Sequence, residues 1–286
     1  MHCLDLLEGH PLPPLRCDTS GQDILPLLKP ELKKLMARFK GPVTDDLVQQ
    51  CRKFGLFGLL DGSGEGQLAL APLAYARLMR FISFHHPDLA SRVAHANLTG
   101  CHANGPTETA NTPPAHGTAP MATGSEGQPG LAVMERISTM AIILGQLDLA
   151  ADLMTEFISI RVIFNRKMVE FELIRARSDR IKEDILRLEA LLLWTCQDDI
   201  AGKPMEAHVA YAAFSSRALA TIGEIVHLFG GTGLMADSGI PGVYTSILET
   251  LKAAAPCPAG CEQLGKTMGK TPDGHGQPHR DMNQEP

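Results

Sequence analysis

The segment "KMVEFELIRARSDRIKEDILRLEALLLWTC", residues 167–196, decides the fold class. Along it, small and apolar residues recur at alternating intervals of three and four, as they do on one face of an α-helix. Such a narrow apolar stripe predicts a long helix that packs against others in an antiparallel bundle. The stripe consists of Phe171, Ile174, Ser178, Ile181, Ile185, Leu188 and Leu192.

The other faces of this helix carry opposite charges four residues apart, which predicts a solvated surface with weak ion pairs. The pairs are Arg175 with Asp179, Arg180 with Asp184, and Glu183 with Arg187.

Apolar residues follow helical spacing in most of the remaining chain, so the sequence predicts an all-α protein with almost no sheet. Helices are expected at 22–38, 45–54, 71–84, 87–98, 131–163 and 167–196. A further helix is predicted to begin at Pro204 and to end at Gly230 and Gly231, and another to follow Pro241.

Two stretches hold too few large apolar side chains to offset the entropy of an ordered chain. Residues 101–130 contain no Val, Ile, Leu, Phe, Tyr or Trp, which predicts a disordered linker. Residues 254–286 are expected to form a flexible tail. The predicted organisation is therefore a short N-terminal helical domain at 1–100, the linker, a four-helix bundle at 131–253, and the tail.

Composition excludes several function classes. The chain has 286 residues and a net charge of −6, which gives no electrostatic basis for binding nucleic acid. Apolar runs fall short of the roughly 20 residues of a membrane span, and the N-terminus lacks the pattern of a secretory signal. Seven scattered cysteines are typical of reduced thiols. We therefore expect a cytoplasmic protein with no membrane span.

A calcium site is one interpretation of the stretch from Asp61, since Asp61, Ser63 and Glu65 match the first ligand positions of an EF-hand loop. The ninth position is Ala69 and the twelfth is Pro72, which offers no carboxylate. The ligand set is incomplete, so the stretch is predicted to be a turn between helices.

A zinc site is one interpretation of the tail, where Cys257 and Cys261 precede His275 and His279 at nearly zinc-finger spacing. Glycines and a proline surround both histidines and disfavour the helix that would present them. We predict no metal here, with zinc binding by the tail left open.

Three segments together identify a family. Glu135 and Arg136 begin the first long helix, and Gly145 follows ten residues after Glu135. "EFISIRVIFNRKMVEFELI" spans 156–174, and "EIVHLFGGTGL" spans 224–234. These segments resemble the C-terminal four-helix domain of acyl-CoA dehydrogenases. "FGLFGLLDGSGEGQLAL", residues 54–70, resembles a turn in that family's small N-terminal helical domain.

The resemblance implies an FAD-dependent enzyme that oxidises an acyl-CoA or another acyl thioester. In this family a carboxylate removes the α-proton while FAD accepts a hydride from the β-carbon. One branch places that glutamate directly before the arginine of the first helix, where this chain has Glu135 and Arg136 as catalytic candidates. The alternative is a glutamate that stabilises the helix N-terminus, with Arg136 as its neighbour.

The resemblance also implies residues that bind FAD, usually across a dimer interface. Arg161 and Phe164 match positions at the FAD diphosphate and adenosine. His227, Gly230 and Gly231 match the segment that approaches the adenine side. The alternatives are an exposed arginine at a helix C-terminus and a glycine cap that needs no ligand.

The chain departs from the family pattern at several points. Asn165 replaces a glycine, although asparagine tolerates a left-handed turn. Arg175 and His227 each stand where the family has glutamine. The loop that carries the other branch's catalytic glutamate has no counterpart, and Glu249 is a poor substitute. The family's β-barrel between the two helical parts is absent from the sequence. A second hypothesis is therefore a non-catalytic helical protein that self-associates or docks onto a related dehydrogenase subunit.

Overall fold

Eight α-helices make up most of the part of the chain that the computed structural model describes, which is residues 25–38, 43–60, 70–99, 129–197, 199–200 and 203–254. The protein is all-α, as predicted. We number the helices α1 Leu25–Arg38, α2 Asp45–Lys53, α3 Pro72–His85, α4 Pro87–Thr99, α5 Pro129–Ile160, α6 Glu172–Thr195, α7 Pro204–Phe229 and α8 Ile240–Ala253.

Local signals set several helix ends. Thr44 caps α2, because its side-chain oxygen accepts a hydrogen bond from the amide of Leu47 at 3.3 Å. Pro204 occupies the first turn of α7, where its missing N–H costs nothing. Gly230 ends the same helix with a φ of 56°, a conformation that favours glycine. The predicted bounds of α7 are therefore confirmed.

The C-terminal helices α5 to α8 form an antiparallel four-helix bundle, as predicted from the sequence. The predicted seam of α6 is confirmed from Ser178 onward, where every member is buried against the other helices. Because consecutive helices alternate in direction, α5 and α7 run the same way. Their C-terminal ends therefore lie at the same end of the bundle.

The charged face of α6 differs in one respect from the prediction. Glu183 does pair with Arg187, at 2.7 Å. Asp184, however, is buried and bonds to Arg187 and to Arg217 of α7, not to Arg180. The reason is its position three residues after Ile181, which places it on the face that packs against α7.

Helix α5 lies at the centre of the protein. It is long and apolar enough, by length and composition, to cross a membrane, although no such run was expected from the sequence. Yet 83% of its most apolar window is buried against the rest of the protein. The core position of α5 accounts for its hydropathy.

Helices α3 and α4 pack directly on α5, and the N-terminal helices share one hydrophobic core with the bundle. Gly145 marks the crossing of α3 and α5, because a Cβ there would overlap the carbonyl oxygen of Arg80. Close by, the Arg80 guanidinium forms buried ion pairs with Asp148 of α5 at 2.6 Å and with Glu189 of α6 at 2.9 Å. The two helical parts are thus joined by both packing and charge.

A two-stranded hairpin separates α5 from α6. Strand β1, Val162–Ile163, pairs antiparallel with β2, Arg166–Lys167. The turn residues Phe164 and Asn165 have φ values of 48° and 60°, as in a type I′ turn. The helices predicted at 131–163 and 167–196 therefore stop earlier and start later than expected. The left-handed conformation anticipated for Asn165 is confirmed.

Several predictions fall outside the described residues. These are the turn at 61–69, the linker at 101–128 and the tail from 255 onward, with its cysteines and histidines. The proposed domain boundaries at these segments stay predictions. Within the described residues, no cluster of three or more potential metal ligands occurs.

Candidate functional site

The ends of α5 and α7 meet at an open pocket of about 520 Å³. The rings of Phe157 and Phe229, which both line the pocket, stack with centroids 4.3 Å apart and planes 18° apart. This contact joins the last turns of the two parallel helices. Helix α5 contributes Leu153, Glu156, Phe157 and Ile160 to the lining, and the other wall consists of Phe229, Thr232, Met235, Asp237 and Ser238.

Five of the predicted site residues lie at this end of the bundle, and none of them is among the residues that line the pocket. Arg161 directly follows the lining residue Ile160 and is exposed. Gly230 directly follows Phe229, and a Cβ at Gly230 or Gly231 would meet open space. His227 is exposed on the last turn of α7, and Phe164 stands at the tip of the hairpin. The structure thus brings the two predicted segments to one end of the bundle.

Phe164 combines exposure with an unusual backbone. Its ring is 89% exposed, the highest value among the exposed large apolar side chains of the described residues. Its φ of 48° is rare for a bulky residue. Ile160, Val162, Leu234 and Met235 are exposed at the same end of the bundle. We call these five residues the hairpin-end apolar surface.

The pocket chemistry can be compared with the parts of FAD. Apolar and aromatic walls suit a nucleobase, and the carboxylates of Glu156 and Asp237 suit the hydroxyl donors of a ribose. The same carboxylates would repel a diphosphate, which would instead need a cation at the rim. Arg161, which directly follows the lining residue Ile160, could supply this cation. The residues present therefore fit an adenosine with its diphosphate outside the pocket.

Glu135 lies near the opposite end of α5, beside the start of α7. The side chain is half-buried, and this burial raises its pKa while the neighbouring Arg136 counteracts the rise. Burial also raises the pKa of Tyr211 to about 12, with Arg136 lowering it and Glu135 raising it. Neither of the two described pockets includes Glu135.

Arg136 is held by the protein itself. Its Nη1 donates to the carbonyl oxygen of Ala254 at 2.8 Å, which satisfies a carbonyl at the end of α8. Its guanidinium also lies 4.8 Å from the ring centroid of Tyr211, a cation–π contact. The pKa of His208 is lowered by burial and by the same guanidinium. Arg136 therefore ties α5 to α7 and α8 and sets the charge around Glu135.

The two groups of predicted residues are far apart. From Glu135 to Ile160 the helix rises by about 38 Å at 1.5 Å per residue. Glu135 and Arg136 therefore form one location, and Arg161, Phe164, His227, Gly230 and Gly231 form another. Sequence reasoning missed Glu156, Phe157 and Asp237. Only Phe157 had a usable signal, since it lies one helical turn before Arg161.

Residues 130–250 match the family described as acyl-CoA dehydrogenase, C-terminal domain. This part of the chain is similar to the C-terminal domain of acyl-CoA dehydrogenases. The match contains both groups of predicted site residues. Comparison with curated protein sequences gave no match.

Solved structures support the fold of this acyl-CoA dehydrogenase-type chain. A structure described as electron transferring flavoprotein of Acidaminococcus fermentans covers 89% of this chain and 100% of its own, with 13% identity and a TM-score of 0.66. The match to the ChsE4–ChsE5 complex from Mycobacterium tuberculosis covers 87% of this chain and 95% of the matched chain, with 16% identity and a TM-score of 0.51. Both matches cover much more of this chain than residues 130–250, so the shared fold extends into the N-terminal helices.

An acyl-CoA dehydrogenase from Geobacillus kaustophilus matches over a smaller region. It covers 48% of this chain with 18% identity and a TM-score of 0.43. The chain spans only 37% of the length of that protein.

Proposed function

We propose that this chain is an FAD-binding subunit of the acyl-CoA dehydrogenase type. The observation that carries the proposal is the pocket where α5 and α7 end, with the stacked rings of Phe157 and Phe229 in its lining. Its apolar walls and two carboxylates suit the adenosine of FAD. Arg161 would bind the diphosphate as a guanidinium fork, and Gly230 and Gly231 leave room for the cofactor to approach the backbone.

The distance between the two groups of residues requires more than one subunit. One FAD is much shorter than the roughly 38 Å of helix between Glu135 and Ile160. The adenosine pocket of one protomer would therefore serve a flavin whose ring lies against another protomer or a related subunit. The ChsE4–ChsE5 structure, described as a complex of two proteins, supports such an arrangement.

Glu135 is our candidate for the base that removes the α-proton of an acyl thioester. Its half-buried carboxylate has a raised pKa, as a desolvated proton acceptor requires. When bound, FAD would supply the hydride acceptor for this oxidation. Arg136, fixed by Ala254 and Tyr211, would keep the carboxylate in place and limit the rise of its pKa.

Titration with FAD tests the adenosine pocket. We expect the absorption spectrum and fluorescence of added FAD to change on binding. Arg161→Gln should weaken binding by about 10-fold or more, since it removes a charge-assisted contact to the diphosphate. Arg180→Gln is the matched control, because Arg180 is an exposed arginine of α6. ADP should compete with FAD if the pocket binds the adenosine half.

Two results would overturn the proposal. One is a purified protein that neither carries nor acquires a flavin spectrum, alone or mixed with a complete acyl-CoA dehydrogenase. The other is equal weakening by Arg161→Gln and Arg180→Gln, which would mean that FAD responds only to overall charge.

A second candidate function is docking, favoured by the hairpin-end apolar surface. This surface exposes Ile160, Val162, Phe164, Leu234 and Met235 together, and such patches mark interaction sites. The partner would be a second copy or a related dehydrogenase subunit in the cytoplasm. Light scattering after size exclusion should show an assembly without added flavin, and Val162→Asp should dissociate it. A protein that stays monomeric and also fails to bind a complete acyl-CoA dehydrogenase would exclude docking.

A further inference from the structure

A second pocket lies far along the chain from the residues of the proposed flavin site. It has a volume of about 480 Å³ and opens between α1 and the junction of α3 with α4. Met36 and Val43 provide apolar wall, while Lys33, His85, His86 and Asp88 are its ionisable groups. No predicted site residue and no residue of the family match contributes to it.

His86 is the unusual residue of this pocket. Only 8% of it is exposed, yet its ring makes no hydrogen bond with any described residue. Both backbone polar groups of His86 are hydrogen-bonded. Its amide donates to the carbonyl oxygen of Ile82, and its carbonyl oxygen accepts from the amide of Ala90. The ring lines the pocket, and neither of its nitrogens is among the fully enclosed polar atoms that lack a partner, so water or an anion in the pocket can reach them.

The N-terminus of α4 lies beside this ring. The first intrahelical hydrogen bond runs from the amide of Ala90 to the carbonyl of His86 at 3.0 Å. The amides of Asp88 and Leu89 therefore precede the hydrogen-bonded turns and have no acceptor within the helix. Helix N-termini attract anions through such free amides and through the helix dipole.

A positive side chain lies on the α1 side of the pocket. Lys33 of α1 forms no ion pair with any described carboxylate, in contrast to its neighbour Lys34, which pairs with Glu31 at 2.7 Å. The pKa of His85 is lowered mainly by burial, and further by His86 and by the charge of Lys33. Asp88 is the one carboxylate among the lining residues and opposes it.

We propose that this pocket binds a tetrahedral oxyanion, such as the phosphate group of a small molecule. His86 would donate from its buried ring, Lys33 would supply the charge, and the first amides of α4 would complete the contacts. The pocket is larger than a bare phosphate, which leaves room for the rest of a phosphorylated metabolite.

Inorganic phosphate and sulfate are the probes. We expect the imidazole NMR resonances of His85 and His86, assigned with His85→Gln and His86→Gln variants, to shift saturably, whereas chloride at equal ionic strength leaves them in place.

Single surface substitutions make the test selective. Lys33→Gln should weaken sulfate binding by about threefold or more, and Asp88→Asn should strengthen it by about threefold, since one favourable and one opposing charge are removed. Lys34→Gln is the matched control and should change nothing. The absence of saturable shifts, or equal weakening by Lys33→Gln and Lys34→Gln, would overturn the proposal. Neither outcome bears on the flavin site.

Discussion

Phe164 bears two unfavourable features at the scale of a single residue. Its backbone is left-handed, with a φ of 48°, and its ring is almost fully exposed. Residues held in such conformations cost of order 1–3 kcal/mol and concentrate at functional sites. An aromatic residue in this position is understandable if the ring contacts a ligand or partner that is absent from the isolated chain.

Phe164→Gly should therefore stabilise the fold while weakening its function. Glycine adopts the left-handed turn without a Cβ penalty, so we expect a gain of about 1 kcal/mol in the free energy of unfolding. FAD affinity should fall, because the ring is lost. Phe164→Ala separates the two effects, since it also removes the ring but keeps the Cβ. Urea denaturation and FAD titration measure them. Unchanged FAD affinity in both variants would remove Phe164 from the proposed site.

Glu135 makes stability depend on pH. Its pKa is raised in the folded protein, mainly by burial. The folded state therefore binds a proton more readily than the unfolded state, and stability falls as the pH rises from the ordinary range of glutamate through the raised pKa. This cost is absent at lower pH and fully present above the folded pKa.

Glu135→Gln should remove that pH dependence. We expect the variant to be more stable than the wild type at neutral pH, with a difference that shrinks as the pH falls into the ordinary range of glutamate. Urea denaturation over a pH series measures the difference. Glu224→Gln, an exposed change on α7, gives the background effect of losing a carboxylate. A constant difference between Glu135→Gln and wild type across the series would contradict the assignment of Glu135 as a desolvated carboxylate.

The two ends of α7 were the most predictable features at the scale of elements. Proline at the start of α7 and glycine at its end are local signals, and both predicted the ends of the helix correctly. The sequence analysis missed the hairpin because its turn has only two residues, Phe164 and Asn165. Phenylalanine is not a residue that predicts a left-handed turn. Asp184 was placed on the wrong face because charge spacing along one helix does not reveal Arg217 on another.

The crossing of α3 and α5 depends on Gly145. A methyl group there would meet the Arg80 carbonyl and the Ser83 side chain, and backbone atoms cannot yield easily. Gly145→Ala should therefore lower the free energy of unfolding by about 1–3 kcal/mol through overpacking. Gly223→Ala is the matched control on α7, where a Cβ would meet open space. It should raise stability by about 0.5–1 kcal/mol. Equal effects in chemical denaturation would contradict the close crossing.

At the scale of the whole molecule, long-range contacts between helices could not be predicted from one sequence. The resemblance predicted the bundle and brought Arg161 and Gly230 to one end of it. It did not predict the pocket lining, because Glu156 and Asp237 follow no periodic pattern. Nor did it predict the ion pair between Arg80 and Asp148, which are 68 residues apart. Pairings of this kind depend on how helices meet in space.

The buried network of Arg80, Asp148 and Glu189 connects the N-terminal helices to the bundle. The Arg80 guanidinium makes two hydrogen bonds to Asp148, at 2.6 and 2.9 Å, and a third contact to Glu189. It thus spans α3, α5 and α6 within the protein interior. A buried charge that loses its partner is far more costly than an exposed one, because water cannot replace the lost contact.

Asp148→Asn should therefore lower the free energy of unfolding by about 3–5 kcal/mol, since it leaves Arg80 with only one carboxylate. Glu183→Gln removes a carboxylate from the exposed pair with Arg187 and should cost less than about 1 kcal/mol. Urea denaturation monitored by circular dichroism compares them. If Asp148→Asn were as mild as Glu183→Gln, the Arg80 network would not join the two helical parts. The packing around Gly145 would then carry that connection alone.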